Sequence, residues 1–238
     1  MSPSHQVTKS PGLIVALDVD NYQKAMYWVK LLYPQVNIFK VGLELYSACG
    51  PGIIQAIRKI GADVFLDLKF NDIPNTMINA AQEALKHRIA MFTVHTLSGP
   101  TALKGVALAC RGSNTKVLGV TILTSLCQHF LKDLGIKRKL SQEVLYLAKM
   151  AKRCGLDGVV CSVQEAARIR KGLGKGFLIV TPGIRLKGDK KDDQSRVATA
   201  QKAVEAGADF LVVGRPVLEA KNPLSVVEKL GDIYGRRN

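Results

Sequence analysis

"FLDLKF", residues 65–70, is an apolar run with an aspartate and a lysine set into it, and "NDIPNT" (71–76) follows at once. The Phe and Leu positions predict a strand heading into a core. Side chains alternate along a strand, so Asp67 and Lys69 share a face, about 7 Å apart along the chain. Buried charges are tolerated when they are paired. The stretch therefore predicts a core strand that carries a charge pair towards its far end.

Outward from this stretch, seven more runs have the same apolar look. They are "LIVALD" (13–18), "NIFKVG" (37–42), "AMFTVH" (90–95), "KVLGVTIL" (116–123), "GVVCS" (158–162), "FLIVTP" (177–182) and "FLVVG" (210–214). Short runs rich in Val, Ile, Leu and Phe are the pattern of strands buried on both faces of a parallel sheet. Amphipathic stretches lie between them. "YQKAMYWVKLLY" (22–33) places Ala25, Trp28, Val29 and Leu32 at helical spacing, and "PGIIQAIRKIG" (51–61) opens on Pro and closes on Gly. Eight strands, each followed by a helix, predict an α/β fold, a single-domain (β/α)8 TIM barrel over residues 13–238 behind a flexible lead-in at 1–12. An open doubly wound sheet would carry a glycine-rich fingerprint after its first strand. "LDVDNYQKA" contains no glycine.

The 238 residues, 47% of them apolar, suffice for one sizeable core. No apolar stretch reaches the roughly 18 residues of a membrane span, and the first twelve residues lack the apolar middle of a signal peptide. The five cysteines are odd in number and scattered, without a CxxC pair. A disulfide framework or zinc site is not expected, and a reducing cytoplasm fits best. The net charge of +15 is spread along the chain, with "KRK" at 137–139 its densest group. No RNP-like motif, zinc finger or basic zipper helix accompanies it, so neither nucleic acid nor membrane is expected as a partner. Steering of a small polyanion into a cleft also suits that charge.

In this barrel the chemistry sits at the C-terminal ends of the strands. Those ends carry Asp18, Lys40, Asp67 and Lys69 with Asp72 in the next loop, then His95, Thr124 and Ser125, and Ser162. Lys40 supplies a second cation beside the Asp67–Lys69 pair. A rim ion-pair network explains one such pair, but two lysines and three aspartates at adjoining strand ends point to a site. Opposite them, "TPGIR" brings Arg185 after the seventh strand, and "VVGRP" brings Gly214 and Arg215 after the eighth. Loops at those two strands, with a helix N-terminus, are the usual phosphate cradle of the fold. "LKGDKKDDQSR" (186–196) reads as a lid over the phosphate, with Gln194 reaching in.

Taken together, "DLKFNDIPNT" (67–76), "ALDVD" (16–20), "FKVGLELY" (39–46), "LDGVVCS" (156–162), "VTPGIR" (180–185) and "VVGRP" (212–216) closely resemble the motifs of the orotidine 5′-phosphate decarboxylase family, in order, over about 13–220. The resemblance implies conversion of orotidine 5′-monophosphate to UMP and CO2 in pyrimidine biosynthesis, without metal or organic cofactor. It implies that Lys40, Asp67, Lys69 and Asp72 form the catalytic array, and that Asp72, Ile73 and Thr76 reach into the partner's site in a homodimer. Asp18 and Lys40 would contact the ribose, Thr124 or Ser125 the pyrimidine, and Pro182 would line the base pocket. Arg185, Gln194, Gly214 and Arg215 would hold the phosphate. No position departs from the pattern. Lys69 would then meet the charge that develops on C6 and supply its proton, aimed by Asp67 and Asp72. His95 and the cysteines read as structural.

Two alternatives stand beside this reading. Sugar-phosphate lyases of the same superfamily share a D-x-K-x-x-D strand but use Mg²⁺, and Lys40 in "FKVG" argues against that ligand set. An RNA-binding barrel would show a steep salt dependence and form no UMP.

Overall fold

Each of the eight apolar runs becomes a strand in the computed structural model, which describes residues 12–185 and 198–235. They are β1 (Gly12–Ala16), β2 (Ile38–Gly42), β3 (Asp63–Phe70), β4 (Met91–His95), β5 (Lys116–Val120), β6 (Gly158–Val160), β7 (Leu178–Thr181) and β8 (Phe210–Val213). Every strand is parallel to its neighbours in sequence, and β1 pairs with β8 to close the barrel. A two-residue parallel pair, Ile184–Arg185 with Ala198–Thr199, lies beyond β7.

The helices that cover the barrel start and stop where local chemistry dictates. Asn21 accepts the Lys24 amide at 2.9 Å and caps the helix Tyr22–Leu32. Pro74 opens the helix Pro74–Lys86 from its first position, where the missing N–H costs nothing. Gly61, at φ +100°, stops the helix Gly52–Ile60 in the left-handed conformation. Two short helices were not expected from the sequence: Leu43–Cys49 and Gln128–Asp133. In the first covering helix the buried stripe is Ala25, Met26, Val29 and Leu32, and Trp28 is only half-buried at its edge.

Two cores follow from strand alternation. Val15, Phe39, Val41, Val64, Leu66, Phe92 and Val94 face the helices in the larger, outer core. Ile14, Ala16, Phe65, Met91, Leu118, Val180, Phe210 and Val212 fill the inside of the barrel. Continuing the inward register of β2, β3 and β4 past that apolar plug leads to Lys40, Asp67 and Thr93. The barrel interior is thus an apolar floor beneath a charged upper layer.

Candidate active site

The pairing of β3 with β4 is irregular where the charges lie. Leu66 pairs with Phe92 and Phe70 with Val94, so Asp67, Leu68 and Lys69 stand opposite Thr93 alone. Lys69 absorbs the mismatch at φ +52°, a conformation uncommon for a residue with a Cβ. The surplus brings the two charges together. Lys69 Nζ donates to Asp67 Oδ1 at 3.0 Å, closer than a flat strand would place them. Thr93, fully buried, donates its hydroxyl to the same Oδ1 at 3.0 Å and accepts the Lys69 amide at 2.9 Å.

Lys40 Nζ lies 3.7 Å from Asp67 Oδ2 and donates to Asp18 Oδ1 at 3.0 Å. Acid and base therefore alternate across three strand ends: Asp18, Lys40, Asp67, Lys69. Side-chain exposure is 12% for Lys40, 14% for Asp67 and 31% for Lys69, but 54% for Asp18. The two most buried charges are those with oppositely charged neighbours on both sides, as desolvation requires. Gly42 makes room for the row, since a Cβ there would come within 2.9 Å of Lys40 Nζ. At the end of β4, burial and then the charge of Lys69 hold the pKa of His95 below its ordinary 6.5. His95 Nδ1 accepts the Leu97 amide at 3.3 Å.

Above this layer opens a cavity of about 240 Å³. Asp18, Lys40, Asp67 and Lys69 line one part of it. Thr124, Pro182, Arg185, Gly214 and Arg215 line the rest, with an apolar floor that includes Phe65 and Val212. The structure thus brings nine of the sequence-predicted residues together. Gly214 lies close to the row, since a Cβ there would sit 3.1 Å from Asp18 Oδ2. The helix after β8, Arg215–Leu218, is a single turn, shorter than the cradle helix expected. β5 ends at Val120, so Thr124 sits in the loop beyond it at the lining, while Ser125 is exposed and outside the lining. Asp72, Ile73 and Thr76 are exposed and do not line this cavity; Asp72 accepts the Ile73 amide at 2.6 Å. Gln194 lies outside the described residues.

Thr93 was not among the predicted residues. The signal was available: in "MFTVH" the inward register runs Met91, Thr93, His95, and Thr93 is a polar residue within it. Asp18 and Asp67 are bridged by an ammonium group and do not form an open acidic pair. Among the described residues no group of three or more His, Cys, Asp and Glu side chains could hold a metal ion. The arrangement offers a fixed ammonium group against a small enclosed space, with two guanidinium groups at the opposite side.

Comparison with known proteins agrees on one family. A model of the orotidine 5′-phosphate decarboxylase / HUMPS family matches residues 11–230. The chain is 45% identical to the orotidine 5′-phosphate decarboxylase of Pseudoalteromonas translucida, over 92% of this chain and 95% of that protein. It is 43% identical to the enzyme of the same name from Nitrosomonas europaea, over 93% and 96%. Among solved structures, the orotidine 5′-phosphate decarboxylase of Lactobacillus acidophilus superimposes with a TM-score of 0.84 at 36% identity, covering 94% of this chain and 99% of that one.

Proposed function

The chain belongs to the orotidine 5′-phosphate decarboxylase / HUMPS family, and we propose that its Lys69 ammonium group delivers the proton that replaces carbon dioxide on C6 of orotidine 5′-monophosphate. The curated relatives from Pseudoalteromonas translucida and Nitrosomonas europaea bear the decarboxylase name, which makes the chain a carboxy-lyase of pyrimidine biosynthesis within that two-branched family. The C6–carboxylate bond breaks, its electron pair stays on C6, and a proton from Lys69 Nζ fills that position to give UMP. The carbanion has no ordinary electron sink in the ring, so a preorganised cation beside C6 is the stabilising device. The observation that carries this reading is the alternation Asp18–Lys40–Asp67–Lys69 at 3.0, 3.7 and 3.0 Å on the cavity wall.

The other roles follow from position. Asp67 aims Lys69, Lys40 and Asp18 meet the ribose, Thr124 the pyrimidine, with Ser125 beside it, and Pro182 lines the base. Arg185, Gly214, Arg215 and Gln194 hold the phosphate, whose binding energy is realised at the distant ring. No metal or organic cofactor takes part. Residues 13–238 make up the catalytic domain behind a lead-in at 1–12.

In this reading the enzyme is a cytoplasmic homodimer. Asp72, Ile73 and Thr76 lie outside their own cavity and serve the partner's site. Support comes from the exposed rim: Leu43, Ile73 and Leu97, just past the ends of β2, β3 and β4, are 59%, 68% and 50% exposed. Adjacent exposed apolar side chains of that size suit an interface. All five cysteines are free, which fits a reducing compartment.

The test is ultraviolet detection of orotidine monophosphate loss, in the presence of EDTA, by wild type and Lys69→Ala. Wild type turns substrate over. Lys69→Ala retains its circular dichroism spectrum and loses more than about 10³-fold in kcat. Turnover by Lys69→Ala at the wild-type rate would refute the role given to Lys69.

A further inference from the structure

We propose that Thr93 is a positioning residue of this active site, holding Asp67 and the backbone of Lys69 in register through one hydroxyl. The inference rests on the reading of Lys69 and Asp67 given above. Thr93 Oγ1 is fully buried and makes two hydrogen bonds in opposite senses, donating to Asp67 Oδ1 at 3.0 Å and accepting the Lys69 amide at 2.9 Å. The irregular pairing explains why a side chain is needed there. Three residues of β3 face one of β4, so the Lys69 amide is turned from the regular ladder by its φ of +52° and finds the hydroxyl. A buried amide without an acceptor would be costly, and so would a carboxylate oxygen short of a donor.

The consequence for the reaction is directional. Asp67 has one oxygen towards Lys69 and the other towards Lys40. Rotation of the carboxylate about its terminal bond would unmake both relations, and such terminal torsions are soft. The Thr93 hydroxyl locks that rotation from below. It also pins the strained backbone from which the Lys69 side chain springs.

The experiment compares Thr93→Ser, which keeps the hydroxyl and loses the methyl group, Thr93→Cys, which puts a weakly hydrogen-bonding thiol in its place, and Thr93→Val, which keeps the shape of threonine and removes the hydroxyl. We expect kcat near wild type for Ser, intermediate for Cys, and about ten- to hundredfold lower for Val, because small misplacements of a reacting group are costly. KM stays within about threefold, since the effect falls on the transition state. Amide hydrogen exchange at Lys69 is slow in wild type and Thr93→Ser and fast in Thr93→Val. Unchanged kcat with unchanged exchange in Thr93→Val would overturn the proposal, as would a loss of activity that tracks melting temperature and ignores the order of the series. Should Thr93→Val fail to fold, the ranking of Ser against Cys decides. A wild type that forms no UMP refutes the proposed reaction, whereas the exchange measurement still scores the hold of Thr93 on β3.

Discussion

Asp67 takes a donor or cation on each side: Lys69 and Thr93 at one oxygen, Lys40 at the other. A carboxylate so surrounded has little freedom, and that is what lets it orient an ammonium group. The same crowding explains Gly42. Its backbone, at φ −94°, would accept any residue, so the constraint is purely the Lys40 ammonium 2.9 Å from where a Cβ would stand. Gly42→Ala should therefore displace the flexible tip of Lys40 and spare the fold. We expect kcat/KM to fall about tenfold while the melting temperature moves by no more than about 2 °C. A calorimetric scan with steady-state kinetics checks it; loss of stability without loss of activity would show that the ammonium is not what Gly42 accommodates.

At the scale of elements, short continuous runs of Val, Ile, Leu and Phe were legible as eight strands because parallel barrel strands are buried on both faces. The covering helices were legible from their stripes and caps. The short helices Leu43–Cys49 and Gln128–Asp133 were not, since six or seven residues give too few turns for a periodic signal. The run "KVLGVTIL" overshoots its strand because Thr121 to Leu123 keep an apolar look after the ladder stops at Val120. Lys40, Asp67 and Lys69 stood out as charges among apolar residues. Thr93 did not, because a threonine in a strand is unremarkable until its partner strand slips register. That slip between β3 and β4 belongs to a pair of elements, and a single run of sequence does not contain it. Phe70 and Phe92, with ring centroids 5.6 Å apart, support it from the helix side.

In the molecule as a whole the two ends of the barrel are built for different tasks. At the end away from the cavity, acidic residues just before one strand bind the backbone of the strand that precedes it in the barrel. Asp157 accepts the Val117 amide, and Asp209 accepts the Ile179 amide, both at 2.8 Å. Arg170 fastens this end by bonding Asp209 together with the carbonyls of Gly174, Phe177 and Gly207. Conversion of Arg170 to Ala would leave a half-buried carboxylate without its cation, held by the Ile179 amide alone, and would take a donor from three carbonyls, a loss of about 2–3 kcal/mol. The expected melting temperature falls by about 5–10 °C with kcat unchanged, because the active layer lies at the opposite rim. There, charge of both signs is gathered around a small cavity, and the account depends on what one of those charges does. If Lys69 gives a proton to C6, microscopic reversibility makes its neutral amine take one away. Nuclear magnetic resonance of UMP incubated with the enzyme in D2O reads this directly. Wild type is expected to replace the C6 hydrogen by deuterium and Lys69→Ala is not; exchange by Lys69→Ala at the wild-type rate would contradict a proton-donating Lys69.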